Sequence, residues 1–198
     1  MARCETIRSL LAEGSGLAGR GRLASGRVRE VAALVLSQPR KAARLIECLW
    51  DEDPGIANRA ADALERASHG QPLLAAPWKD SLLGILAEAE HNKLRWNLAL
   101  VVPRLALTPI EAKRAAETLR TYLNDKSSIV KTCAMQGMAE LTRHDPSLLP
   151  EVLDLLRILS RTGTPAMRAR GRILLRRLER IDQSSFRSHK SSFADSSG

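Results

Sequence analysis

The chain has 198 residues, of which 44% are hydrophobic and only 3% aromatic, so aliphatic side chains and alanine must build its core. That composition favours helices, because alanine and leucine are the best helix formers while strands draw on β-branched and aromatic residues. The three cysteines are too few and too widely spaced for a disulfide framework or a zinc site. The net charge of +9 favours anionic partners.

The N-terminal segment, residues 1–26, is predicted to hold a short helix over 3–12 and then a flexible loop. Five residues between positions 13 and 26 are glycine, and glycine-rich stretches interrupt helices. The segment lacks an apolar run long enough for a signal peptide. Aliphatic runs such as 98–102 are also far short of a membrane span. We therefore expect a cytoplasmic protein without membrane insertion.

The rest of the chain shows apolar residues at helical spacing, three and four positions apart. No stretch alternates strictly between apolar and polar residues over the length of a strand, so an all-α fold is expected. The predicted helix pairs are 3–12 with 26–37, 39–51 with 54–68, 77–90 with 92–106, 109–123 with 126–143, and 147–161 with 165–181.

Two patterns recur at an interval of about 37 residues. The first is proline at a helix start, where its missing N–H costs nothing. The second is an apolar residue followed by a basic one, a small or apolar residue at +4 and an apolar pair at +7 and +8, which together make one helical face. A small residue at +4 lets a neighbouring helix approach closely. The prolines are Pro72, Pro109 and Pro146, and the second pattern begins at Val28, Leu94, Val130 and Met167, and at Ile56 without the cation.

This second pattern resembles HEAT/armadillo-type repeats, whose second helix carries an apolar–arginine motif after an Asp-Pro turn. The turn is present as Asp53-Pro54 and is echoed at Asn124-Asp125. The resemblance covers residues 27–181 and implies a right-handed α-α superhelix, or solenoid, of about five HEAT-like helix pairs. Stacked pairs bury one continuous core, because one pair cannot bury its apolar face alone.

The domain organisation follows from the extent of this pattern. The repeat domain is predicted over residues 27–182, after the N-terminal helix and glycine-rich loop of 1–26. Residues 183–198 are rich in serine and show no apolar periodicity, so a disordered tail is predicted there. The last helix is expected to bury a stripe of residues against the preceding helices: Met167, Gly171, Leu174, Leu178 and Ile181.

The repeat resemblance also implies where a partner binds, since the second helix of each pair lines the concave surface. Trp96 is the leading candidate because tryptophan is enriched at binding hot spots and this residue lies beside the apolar–basic pair of its repeat. Packing of Trp96 between helices, and pairing of the motif cations with turn acids such as Asp53 or Asp125, stay open as alternatives. The predicted partner-binding residues are Asn58, Arg59, Lys93, Arg95, Trp96, Asn97, Lys131 and Arg170.

The last predicted helix is a second candidate surface, because it holds six arginines within 13 residues and only Glu179 to offset them. The planar arginine fork binds phosphates and carboxylates in a bidentate way. A solvated outer face is the alternative, since terminal repeats need polar outer surfaces. The residues of this anion or nucleic-acid patch, beside Arg170, are Arg168, Arg172, Arg176, Arg177 and Arg180.

No constellation in the sequence predicts catalysis, a metal or a cofactor. Asp51, Glu52 and Asp53 cluster at a turn, but a solvated turn does not separate carboxylate pKa values as catalysis requires. We therefore expect a non-catalytic scaffold that binds a protein or peptide, as a monomer or weak dimer. The alternative is a nucleic-acid-binding HEAT-like protein, similar in fold to certain DNA glycosylases, with a basic groove and the arginine-rich helix. A more distant architectural resemblance is to HEAT-like lyases acting on a tetrapyrrole-carrying protein.

Overall fold

The structure is a computed structural model that describes the backbone of residues 6–13 and 22–194 and the side chains of 6–13 and 27–182. Within these residues it contains ten α-helices and no strand, which confirms the all-α prediction. The helices are α1 Ile7–Ala12, α2 Arg22–Ser37, α3 Ala42–Glu47, α4 Pro54–Gly70, α5 Lys79–Glu88, α6 Asn92–Val101, α7 Pro109–Tyr122, α8 Ser128–Leu141, α9 Leu149–Thr162 and α10 Pro165–Ala194.

Several helices begin at residues whose chemistry favours a helix start. The Asp53 carboxylate accepts the N–H of Gly55 at 2.7 Å, and Pro54 occupies the first helical position of α4. Thr108 and Glu111 form a reciprocal capping box before α7, which begins at Pro109. Such caps satisfy N–H groups that have no partner within the helix. Pro72 and Pro146 were also predicted to begin helices. They begin short 3₁₀ segments, Pro72–Trp78 and Pro146–Leu148, rather than α-helices.

The ends of the chain differ from the sequence prediction. The helix α2 begins at Arg22, inside the predicted loop, and α10 continues to Ala194, through most of the predicted disordered tail. No glycine or proline occurs between positions 172 and 197, so no residue there breaks the helix. Three ranges lie outside the described residues: 1–5, 14–21 and 195–198. They include the start of the predicted first helix and most of the glycines of the predicted loop.

The chain divides into two compact units, Met1–Leu107 and Thr108–Gly198. In the first unit, α2 packs on α4 and α4 packs on α6, while α1, α3 and α5 pack against members of this layer. Its core is aliphatic, with Val31, Leu45, Leu64 and Leu98 fully buried. The even-numbered helices of this unit therefore lie side by side in one layer.

The second unit has the same kind of packing on a smaller scale. Helix α7 packs on α8, α9 packs on α10, and α10 also packs on α8. Gly171 lies close to both neighbouring helices of α10: a Cβ there would lie 3.2 Å from Met135 Cε and 3.2 Å from Ser160 Cβ. Gly171 is the +4 residue of its repeat, so the structure confirms the predicted role of a small residue at this position. Ile181, predicted to be buried, is instead half-exposed.

Candidate partner-binding surfaces

The first candidate surface lies on the exposed side of α6. Trp96 and Leu100 are half-buried and Lys93 is exposed, whereas Leu94, Leu98 and Val101 are buried. Residues three and four apart share one side of a helix. Trp96 and Leu100 therefore form an apolar strip that Lys93 flanks.

Helix α4, which packs on α6, contributes one neutral and one acidic polar residue. Asn58 and Asp62 are half-buried, and Asp62 accepts a hydrogen bond from Arg66 Nε at 2.8 Å. Within the described part of the chain, Asn58 Oδ1 is buried and has no hydrogen-bond partner. A buried acceptor without a partner costs about 1–3 kcal/mol. Together, Asn58, Asp62, Lys93, Trp96 and Leu100 are called the α4–α6 face below.

Asn97 does not belong to this face, and its predicted role in binding is wrong. The side chain is fully buried, and its Nδ2 donates to the backbone carbonyl of Lys93 at 2.9 Å. Its position explains this, because Asn97 lies three residues after Leu94 and four before Val101, both on the buried side of α6. Asn97 is thus part of the core, although its neighbour Trp96 is only half-buried.

Three of the predicted binding arginines contact backbone carbonyls. Arg95 Nε donates to the carbonyl of Ala89, the C-cap residue of α5, at 2.7 Å, and Arg168 Nη1 donates to the carbonyl of Gly163, the C-cap residue of α9, at 3.1 Å. The last carbonyls of a helix have no partner within it, so a cation that binds one stabilises the helix end. Arg59 Nε likewise donates to the carbonyl of Leu11. These arginines therefore join helices, which the sequence did not indicate.

Arg104, which lies in the short 3₁₀ segment Val102–Arg104 that follows α6, is also structural. It donates to the Glu65 carbonyl at 2.9 Å, to Ser68 Oγ at 3.1 Å and to Glu65 Oε1 at 2.6 Å. Less than a fifth of either charged side chain is exposed. This buried pair fixes the C-terminal half of α4 to the end of α6, and so holds the α4–α6 face together.

The second candidate surface is the exposed side of α10. All six of its predicted arginines are exposed, whereas Met167, Gly171, Leu174 and Leu178 are buried. Glu179 lies 3.5 Å from Arg157 of α9. The arginines, called the α10 arginine face below, are Arg168, Arg170, Arg172, Arg176, Arg177 and Arg180. The remaining predicted binding residue, Lys131 of α8, is half-buried.

A cleft of about 460 Å³ lies between α1 and α3 in the first unit, and no sequence pattern indicated it. Arg8, Lys41 and Arg44 line it together with Cys48 and Asp51. Arg8 Nε donates to Asp51 at 2.7 Å, and this hydrogen bond holds the pKa of the Asp51 carboxyl below its usual value. Burial raises the pKa of Cys48 to about 11, so its thiol is protonated near neutral pH and is a poor nucleophile.

The described residues contain no group of three or more His, Cys, Asp or Glu that could hold a metal ion. Among the described helices, none combines the length and the apolar character needed to cross a bilayer.

No protein-family model matches the chain, and no curated protein matches it. Its backbone is similar to the crystal structures of two engineered proteins, both targets of the Northeast Structural Genomics Consortium. The first has a TM-score of 0.56 at 14% identity, over 87% of this chain and 79% of the other. The second has a TM-score of 0.54 at 14% identity, over 87% of this chain but only 47% of the other. At such low identity the similarity concerns the fold alone.

Proposed function

We propose that this protein is a non-catalytic scaffold, a right-handed solenoid of about five HEAT-like helix pairs that binds a protein or peptide. The observation that carries the proposal is the side-by-side packing of α2, α4 and α6 in the first unit. Solenoids are built this way, because each repeat buries its apolar face on the next and leaves an extended surface for a partner. The pairing of α8 with α10 in the second unit supports the same architecture.

The binding site of this proposal is the α4–α6 face. Trp96 and Leu100 supply an apolar centre, and Asn58, Asp62 and Lys93 supply a polar rim of mixed charge. Protein interfaces have this composition, with an aromatic anchor surrounded by polar groups. A mixed rim favours a peptide or protein over the phosphate backbone of a nucleic acid, which requires a uniformly basic surface.

The test compares two tryptophans that are both accessible to solvent. Peptides are selected from a random library on the purified full-length protein, and proteins are captured from a native lysate in parallel. The binding constants of the recovered ligands are then measured for the wild type, Trp96→Ala and Trp50→Ala. Trp50 is 55% exposed and lies beside α3, outside the α4–α6 face, so it is a matched control.

We expect Trp96→Ala to weaken binding by roughly thirtyfold, which corresponds to a hot-spot loss of about 2 kcal/mol. Trp50→Ala should bind like the wild type. Equal binding by Trp96→Ala and wild type would remove the α4–α6 face from the proposal. Loss of binding in Trp50→Ala alone would move the site to the surface around Trp50.

A further inference from the structure

The net charge of the second unit is concentrated on one helix. Residues 108–198 carry 16 Lys and Arg against 10 Asp and Glu, and residues 165–194 alone carry 8 against 2. Both differences equal +6, so the remainder of the unit is neutral. A solvated cap face does not require this concentration, because neutral polar residues or mixed charges satisfy solvent equally well.

The arginines are also spread around the exposed side of α10 rather than aligned in one row. At about 100° per residue, the six positions from Arg168 to Arg180 cover an arc of roughly 200° opposite the buried stripe. Arg168 and Arg172 lie near one edge of this arc, and Arg170 and Arg177 near the other. Along the axis they extend over about 18 Å. The helix therefore presents cations on both flanks and along its length.

We propose that the α10 arginine face binds the phosphate backbone of a DNA duplex, with the exposed side of α10 directed into the major groove. The major groove is about 12 Å wide and admits an α-helix, so cations on both flanks face the phosphates of both strands. The 18 Å of arginines match about half a helical turn of such a duplex. This surface is distinct from the α4–α6 face, so the inference goes beyond the proposed scaffold function.

The chemistry of the face favours nucleic acid over an acidic protein. All six cations are arginine, whose planar fork binds a phosphate through two hydrogen bonds. Residues 165–182 contain no aromatic side chain that would anchor a protein partner or stack on unpaired bases. Ile173 and Ile181 are about half-exposed and lie about two helical turns apart, with Arg176, Arg177 and Arg180 between them. The face thus offers phosphate contacts and little sequence readout.

The experiment measures binding of the full-length protein to a short labelled DNA duplex by fluorescence anisotropy over a series of salt concentrations. The test variant is the triple substitution Arg172→Gln, Arg176→Gln and Arg180→Gln. The matched control, which removes the same charge from exposed positions elsewhere, is Arg40→Gln, Arg114→Gln and Lys126→Gln. Circular dichroism establishes that both variants keep the helix content of the wild type.

We expect the wild type to bind DNA with an affinity that falls steeply as salt rises. The test variant should bind at least about tenfold more weakly, with a log–log salt slope smaller by about 2.7, because each lost phosphate contact removes about 0.9. The control variant should stay close to the wild type. An RNA duplex should bind more weakly than DNA, since its major groove is too narrow for a helix.

Four results would overturn the inference. These are absence of binding at low salt, equal weakening of both triple variants, equal binding of RNA and DNA duplexes, and displacement of DNA by poly-glutamate at an equal charge concentration. The last result would assign the α10 arginine face to an acidic protein instead.

Discussion

The pair formed by Arg104 and Glu65 is predicted to be the most sensitive polar contact of the first unit. Replacing Arg104 with alanine removes hydrogen bonds to the Glu65 carbonyl, the Glu65 carboxylate and Ser68 Oγ. It also leaves the Glu65 side chain, only 19% exposed, without its cation. Helices α4 and α6 lose their main polar connection at this end of the layer.

The magnitude follows from burial. Breaking a fully buried ion pair by removing one partner costs about 3–5 kcal/mol. Water reaches part of the Glu65 carboxylate, so we expect Arg104→Ala to lower the free energy of unfolding by about 2–3 kcal/mol. Arg104→Lys keeps the charge but cannot form the fork, and should lose about half as much. Arg44→Ala removes an exposed pair with Glu47 and should have no measurable effect.

Urea unfolding followed by tryptophan fluorescence is the appropriate assay, because Trp50, Trp78 and Trp96 all lie in the first unit. The fluorescence transition therefore reports the unit that contains the substitution. A midpoint for Arg104→Ala equal to that of Arg44→Ala, with unchanged slope, would refute the assignment of a stabilising role to this pair.

Three further predictions concern the cleft and the helix packing. The Cys48 thiol, whose pKa is raised to about 11, should react slowly with iodoacetamide at pH 8 in the folded protein and rapidly in urea. The pKa of Cys48 is higher in the folded than in the unfolded protein. The stability that the protonated thiol contributes should therefore be lost as pH rises from 9 towards 11. Equal rates of Cys48 alkylation in the native and the unfolded protein would contradict the burial of its thiol. Arg8→Ala should destabilise the first unit near neutral pH but not in strong acid, because Arg8 lowers the pKa of Asp51 in the folded protein. The stability that ionised Asp51 adds is present above its unfolded-state pKa and disappears as pH falls through its folded-state pKa. A destabilisation independent of pH in urea titrations would argue against this pair. Gly171→Leu should destabilise the second unit by about 1–3 kcal/mol in calorimetry, whereas Gly84→Ala, with open space around its Cβ in α5, should stabilise by about 0.5–1 kcal/mol. Tolerance of Gly171→Leu would mean that α10 does not pack closely on its neighbours.

Local sequence signals predicted the features that depend on neighbouring residues. The apolar spacing located the helices, Pro109 marked the start of α7, and the +4 position of the repeat identified Gly171 as a close contact. Asn97 could have been placed in the core from the same spacing, because it lies on the side of Leu94.

Features that depend on distant residues were not predictable in this way. Arg104 and Glu65 are 39 positions apart, and Arg8 and Asp51 are 43 apart, so no local pattern links them. The length of α10 was missed for a different reason. Serine-rich composition indicated disorder, but the absence of glycine and proline between positions 172 and 197 lets the helix continue.

The most direct test of the scaffold proposal is hydroxyl-radical footprinting of the protein with a ligand recovered from the binding selections. Trp96 and Trp50 are both accessible and readily oxidised, so each serves as a reference for the other within one molecule. We expect the bound ligand to protect Trp96 from oxidation and to leave Trp50 unchanged. Protection of Trp50 with continued oxidation of Trp96 would contradict binding at the α4–α6 face.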